Sequence, residues 1–431
     1  MTDIHTQFID VAQLRIGMFI YLDMGWMDHP FPVSNFKISS QSQIETLQSL
    51  GLEQIRYAPD KSTPESQDAS DPTGKNADKT VVSIVPESAA SIAARQRKEL
   101  LADQQASLQI CERQFSHAAQ TFKNVTDIIH AQPAQAKELT EQLIQGFLGQ
   151  VLGEEEAAIR LLSEKAGEKT SLHSMNVTVI SLLLGKALQL GKAEMLELGV
   201  GAMLHDIGKI ELPDRLRWLD DHFTVSEKQL YNEHVMHGVN LARKMNLSPN
   251  TMLLIAQHHE HADASGYPSR VPGEKISPIS RIVALVNQYD NLCNPSNPAL
   301  AITPHEALSQ IFTQYKPRFH VPTLTAFIRM MGIYPPGSVV QLTDERYALV
   351  VSVNSARPIK PKVVIHQPSI PREEALVINL EYEKTLSIQR SLKPLQLPKA
   401  AYDYLSPRKR LCYFFERGLE AETDTDDGGS L

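Results

Sequence analysis

The chain has 431 residues, 42% of them hydrophobic, which is material for more than one core and about three domain lengths. A formal charge of −8 excludes a nonspecific grip on duplex nucleic acid, which needs a concentrated basic surface, but leaves room for a small anionic ligand at a local site. Cys111, Cys293 and Cys412 are scattered without CxxC spacing, excluding a disulfide framework or zinc ribbon; no apolar run is long enough for a membrane span, so the expected setting is the cytoplasm.

Residues 8–58 alternate short β-like runs, "FIDVAQLRIGMFIYLDMGW" and "FKISS", with a helix-like "SQIETLQSLG" closed by Gly51, and predict a small α+β module over 1–60. The stretch 61–94 is rich in Ser, Pro, Asp and Lys with no apolar period and reads as a disordered linker. Over 95–165 the pattern is that of amphipathic helices. Leu101, Leu108, Cys111, Phe115, Ala118, Phe122, Val125 and Ile129 keep a spacing of three and four until just before Pro133, which predicts one long helix. Its apolar face would serve either a homodimer through residues 101–129 or packing on the following domain. From 166 to 331 nearly everything reads helical, broken at Gly167, Gly191, Gly208 to Pro213, Pro249 and Gly266 to Gly273. After "GIYPPGS" the period switches to two, and "VVQL", "YALVVSVN" and "PKVVIHQ" predict a small β appendix over 332–395, followed by a tail, 396–431, that ends in acidic residues. The expected fold class is multidomain and mainly α: an all-helical domain flanked by the N-terminal α+β module and the β appendix.

Eight of the fifteen histidines fall between 173 and 261, and this density needs a cause. His173 in "SLHSMNVTVI", His205-Asp206 in "GAMLHDIGK" and His258-His259 in "TMLLIAQHHE" have apolar helical neighbours, where an unpaired imidazole is costly. Metal ligation offsets that cost. Imidazole with carboxylate suits iron, manganese or zinc, and a carboxylate can bridge two ions. His237 and His261 taken singly read as satisfied or solvated side chains. An adjacent pair on a helix diverges by about 100°, so His205 and Asp206 share a site only if the helix ends there, as Gly208 suggests.

With "HDIGK" at 205–209, "IELPDRL" after it and "HHEHADASGYP" at 258–268, the chain resembles the HD-GYP phosphodiesterases, the branch of the HD hydrolases that opens cyclic di-GMP. "LHSMNV" and "NEHVMHG" resemble the segments supplying further histidines, and residues 8–58, with "LRIGMFI" and "GWMDHPF", resemble the domain of unknown function that often precedes this catalytic domain. The resemblance implies an all-helical HD-type metal hydrolase domain and two divalent transition metal ions, iron or manganese. The ligands it implies are His173, His205, Asp206, His234, His258 and His259, with Asp206 as bridge. It also implies Lys209 beside the scissile phosphate or the bridging hydroxide, and Gly266, Tyr267 and Pro268 as the substrate rim, where Tyr267 either stacks on a guanine or merely packs. The implied reaction is attack of a metal-bridging hydroxide on cyclic di-GMP, giving the linear dinucleotide pGpG and then GMP.

The pattern departs from the family at three places. Asn287 stands in "RIVALVNQYD" where the family has an aspartate ligand, so that position loses a negative charge, for which Asp290 one turn along is a candidate replacement. Ser296 and Ala299 stand where many relatives have a basic run that holds substrate phosphates. Ala264 replaces a glycine of DGxGYP, a change that matters if φ there is positive. In some relatives a glutamate binds a third ion; Glu168 is the nearest carboxylate here, but five residues before His173 it does not share that residue's helical face, and the residue one turn back is Lys169. Two other functions compete with hydrolysis of cyclic di-GMP: a degenerate module that binds the nucleotide or a protein partner without turnover, and a phosphohydrolase for another cyclic nucleotide.

Overall fold

The computed structural model describes residues 6–23, 35–63 apart from 51 and 53, 89–153, 157–163, 169–218, 222–354 and 358–417 apart from 359. The chain forms two compact units, residues 1–99 and 100–431. Most of the expected linker, the acidic end of the tail and Glu168 lie outside the described residues.

In the first unit β1 (Gln7–Asp10), β2 (Phe19–Tyr21), β3 (Asn35–Lys37) and β4 (Gln54–Ala58) form an antiparallel sheet of order β1-β4-β2-β3. Helix α1 (Gln41–Ser49) is opened by Ser40, whose hydroxyl accepts from the Gln43 N–H, and it buries Ile44 and Leu47 with Ile20, Ile38 and Ile55 of the sheet region. The alternation that predicted an α+β module is thus the alternation of one covered sheet face.

The second unit begins within α2 (Ala89–Ile128) and continues through α3 (Pro133–Val151), β5 (Ala157–Leu161), α4 (Lys169–Ala187), α5 (Lys192–Leu204), α6 (Val225–Asn232), α7 (His234–Lys244), α8 (Pro249–Gln257), α9 (Pro278–Cys293), α10 (Pro304–Thr313) and α11 (Val321–Met331). Three of these start on the same local signal. Ser248-Pro249, Ser277-Pro278 and Thr303-Pro304 each place a hydroxyl at the N-cap and a proline at the first turn, where its missing N–H costs nothing. Helix α4 is apolar nearly all round, with Val177, Val179, Ile180 and Leu182 to Leu184 buried, and packs on α5 and α9 at the centre of the bundle.

The remaining strands are β6 (Val339–Leu342), β7 (Tyr347–Asn354), β8 (Lys362–Ile365), β9 (Val377–Asn379), β10 (Ile388–Leu392) and, after α12 (Lys399–Leu405), β11 (Tyr413–Arg417). They form an antiparallel sheet with the path β10-β6-β7-β5-β11, and β8 and β9 branch from β7. This corrects two expectations. Residues 95–165 are not helices alone, because β5 lies between β7 and β11, and 396–431 is not simply a tail, because it contributes α12 and β11. Strand β5 carries no alternation because all five of its residues are buried; Arg160 is held there by Glu416 of β11 at 3.0 Å.

The apolar face of α2 is also accounted for within the unit. Cys111, Phe115, Ala118, Phe122 and Val125 are buried, Phe115 and Phe147 meet Phe414 edge to face, and these contacts join the helix to the sheet in one core. Burying each such aromatic contributes about 1.5–3 kcal/mol. Packing on the following domain, not a dimer seam, is therefore what that spacing encodes from Cys111 onward. Among the described residues no helix is long and apolar enough to cross a membrane.

Candidate metal centre

Helix α5 ends at Leu204, and residues Ile207–Glu211 form a 3-10 turn. The break lets His205 and Asp206 point to one place, as their shared site requires: His205 Nε2 lies 3.4 Å from Asp206 Oδ2. Gly208 makes the next approach feasible. A Cβ there would sit 1.9 Å from the His234 carbonyl oxygen and 2.3 Å from the Gly238 nitrogen, so only glycine lets the turn rest on α7. His234 opens α7 and His258 follows the last residue of α8, which brings both rings to the same point.

Four histidine rings are oriented from behind. The Nδ1 atoms of His205, His234 and His258 lie 2.7, 2.6 and 2.7 Å from the carbonyls of Ala202, Tyr231 and Ile255, and His173 Nδ1 lies 2.6 Å from Asp290 Oδ2. An oxygen acceptor at Nδ1 fixes the proton there, so each Nε2 presents a bare lone pair to the interior. Yet His205 Nε2 faces His173 Nε2 at 3.2 Å, and His234 Nε2 faces His258 Nε2 at 3.4 Å. Two lone pairs cannot hydrogen-bond to each other. Asp206 Oδ1 lies 3.3 Å from His234 Nε2 and 3.6 Å from His258 Nε2, and neither nitrogen has a proton to give it, so that oxygen is buried without a donor; so is His259 Nε2. A buried set of acceptors aimed at one another is stable only around cations, and the donor set fits divalent transition metal.

The carboxylate divides the site. Asp206 Oδ2 faces His173 and His205 at 3.5 and 3.4 Å, while Oδ1 faces His234 and His258. Two groups can each hold an ion, His173-His205-Asp206 and Asp206-His234-His258-His259. Burial lowers the pKa of His205, His234, His258 and His259, so these rings are in the neutral form a metal requires. Burial opposes ionisation of Asp206 too, but the Lys209 cation holds its carboxyl well below the usual range. Lys209 Nζ donates to Asp206 Oδ2 at 2.5 Å; burial disfavours its charge, but Asp206 and Tyr231 raise its pKa, so it stays cationic.

The site opens into a cleft of roughly 380 Å³ lined by His173, Asp206, Lys209, Trp218, Tyr267 and Arg410, among others. The rim loop is fixed by close packing. Gly266 rests on the backbone of His259 to His261, where a Cβ would meet the His259 carbonyl oxygen at 2.4 Å, and the buried Glu260 carboxylate accepts from the backbone N–H groups of Ser269, Arg270 and Val271. Tyr267, followed by a cis peptide bond to Pro268, stacks on His259 with ring centres 4.5 Å apart, so one of its faces is already used.

An HD domain model matches residues 123–319, which contain the whole centre, and a domain of unknown function, DUF3391, matches residues 6–139. The chain therefore carries an HD domain preceded by a DUF3391 domain. A cyclic di-GMP phosphodiesterase of Pseudomonas aeruginosa is 24% identical over 83% of this chain and 84% of its own length. A 3′3′-cGAMP-specific phosphodiesterase of Vibrio cholerae is 29% identical over 30% of this chain and 25% of its own. Among solved structures, an HD-GYP protein from Bdellovibrio bacteriovorus covers 75% of this chain and 98% of its own at 15% identity and a TM-score of 0.41.

Within this HD domain, the expected residues His173, His205, Asp206, His234, His258 and His259 converge. Asn287 is buried on α9, and its amide oxygen accepts from Asn291, whose side chain lines the cleft. Asp290 is not a replacement ligand: Oδ2 holds His173, and Oδ1 accepts from Asn176 and Asn294, both at 2.8 Å. Its role is to orient an imidazole. The positive φ of 59° at Ala264 makes the loss of glycine there a strained substitution. His237 pairs weakly with Glu233, and the half-buried His261 pairs with Ser265 and meets the Phe319 ring edge to face. Sequence reading missed Trp218 and Arg410. No local pattern marks either.

Proposed function

We propose that the chain is a metal-dependent phosphodiesterase that hydrolyses cyclic di-GMP to the linear dinucleotide pGpG and onward to GMP. The observation that carries the reading is the set of proton-free Nε2 atoms converging on the two oxygens of Asp206. In this reading His173 and His205 would hold one divalent ion and His234, His258 and His259 the other, with the Asp206 carboxylate shared by both groups. Bound there, iron or manganese would supply Lewis-acid charge to the phosphoryl oxygens and acidify a water. The chain's own residues do the rest. The carbonyls of Ala202, Tyr231 and Ile255 and the carboxylate of Asp290 keep the rings aimed. Lys209 holds a permanent cation at the cleft floor, where it offsets charge developing on the phosphate. Gly266, Tyr267 and Pro268 shape the rim, and the free face of Tyr267 together with Trp218 offers aromatic surface to a purine.

Support for the substrate comes from the Pseudomonas aeruginosa relative, which aligns with most of this chain. The test is purified full chain loaded with iron or manganese, its metal content measured, incubated with cyclic di-GMP and 3′3′-cGAMP, and the products resolved by chromatography. Conversion of cyclic di-GMP that disappears, together with bound metal, in the His205→Ala/Asp206→Ala double variant is expected. Full metal content and activity in that folded variant would refute the site. Binding without turnover would leave the nucleotide-binding module, a reading that the neutral amide at Asn287 favours.

A further inference from the structure

Ser296 lines the cleft but offers no charge, so a phosphodiester entering it must find cations elsewhere. The lining includes Lys123, Lys209, Arg217 and Arg410 against the carboxylates of Asp127 and Asp206. Lys209 is committed to Asp206. Arg217 is committed to its own turn, donating to the carbonyls of Leu212 and Ile210 at 3.1 and 3.2 Å and pairing with Asp214 at 3.0 Å. Arg410 is half-buried, and among the described residues no carboxylate pairs with it.

The backbone beside Arg410 is tied to the metal centre. Leu411 N–H donates to Asn294 Oδ1 at 2.8 Å, and its carbonyl accepts from Asn294 at 3.0 Å and Asn176 at 2.8 Å. Tyr413 N–H donates to Asn176 Oδ1 at 2.9 Å as β11 begins. Both asparagines also donate to Asp290, which holds His173. The segment from the C-terminal part of the chain is therefore in register with the imidazoles through two bridging amides, while β11 clamps it to β5.

We propose that Arg410 is a phosphate-binding cation of the cleft, delivered by the strand β11 connection in place of the basic groups absent at Ser296 and Ala299. Guanidinium suits this because its fork can donate two parallel hydrogen bonds to a phosphodiester. The inference rests on the phosphodiesterase reading and refines it.

The test compares manganese-loaded wild type, Arg410→Ala and Arg410→Lys as full chains, measuring KM and kcat for cyclic di-GMP, its Kd by calorimetry, and metal content. Expected is a KM and Kd raised about tenfold or more in Arg410→Ala, a smaller change in kcat, unchanged metal content, and partial recovery in Arg410→Lys, which keeps the charge but loses the fork. Unchanged KM and Kd in Arg410→Ala would overturn the proposal. So would a loss of metal and kcat at constant Kd, which would make the residue structural. If wild type ignores cyclic di-GMP but cleaves bis(4-nitrophenyl) phosphate, the substrate reading falls, and Arg410 is judged on KM for that phosphodiester. No binding or cleavage of either by metal-loaded wild type overturns both.

Discussion

Replacing Asp290 by asparagine changes one charge and almost no volume, and it tests the orientation of the metal histidines. Asp290 is fully buried, and its two oxygens serve three donors: His173 Nδ1 at 2.6 Å, and the amides of Asn176 and Asn294 at 2.8 Å each. Asparagine has one oxygen. If that oxygen stays with the two amides, the new NH₂ faces His173 Nδ1, and the ring must shift its proton to Nε2, the atom that lies 3.2 Å from His205 Nε2. A proton there blocks ligation. If instead the oxygen turns to His173, an NH₂ faces two amide donors, which leaves buried donors unsatisfied at roughly 1–3 kcal/mol. Either arrangement predicts metal affinity about 10–100-fold weaker, the usual cost of disturbing a ligand's support, or about 1.4–2.7 kcal/mol. Competition titration of the apo-protein with manganese against a chelating dye measures this, with circular dichroism to confirm the helical fold. An affinity within twofold of wild type would show that the Asp290 carboxylate is not what prepares His173 as a ligand.

Asn287→Asp, which restores a carboxylate on α9, should raise metal occupancy at limiting metal and any hydrolysis with it; an unchanged affinity would place the residue beyond ligand reach. Ala264→Gly should stabilise the protein by roughly 1 kcal/mol in denaturant titration, because the φ of 59° costs alanine but not glycine; no gain would mean that the loop relaxes at no cost. Glu416→Gln should destabilise the second unit by about 3 kcal/mol, since it strands the buried Arg160 guanidinium. Burial opposes ionisation of Glu416, but Arg160 and Lys362 hold its pKa below the ordinary 4.5, so its contribution is present above that value and is lost as pH falls through the folded pKa. Wild type should therefore lose stability more steeply than the variant below about pH 4.5 in pH-resolved melting, and parallel curves would contradict the pairing.

The sequence by itself determined whatever is encoded within a few residues. Adjacent His205-Asp206 at a glycine-marked helix end, His258-His259 before a Gly-Tyr-Pro turn, and Ser-Pro or Thr-Pro helix starts are covalent spacings, and local backbone geometry reads them directly. The buried face of α2 was legible as a face, but its partner was not, because a spacing of three and four records that a surface is covered and not what covers it. Tertiary structure alone decided the sheet, where β5 meets β11 across 256 residues between Arg160 and Glu416, and all-buried strands carry no alternation to announce them. It also decided that Asp290 supports His173 from 117 residues away, and that Arg410 lines the same cleft as Ser296. These depend on which distant segments close on one another, a choice made by the summed burial of a common core and invisible to any local pattern.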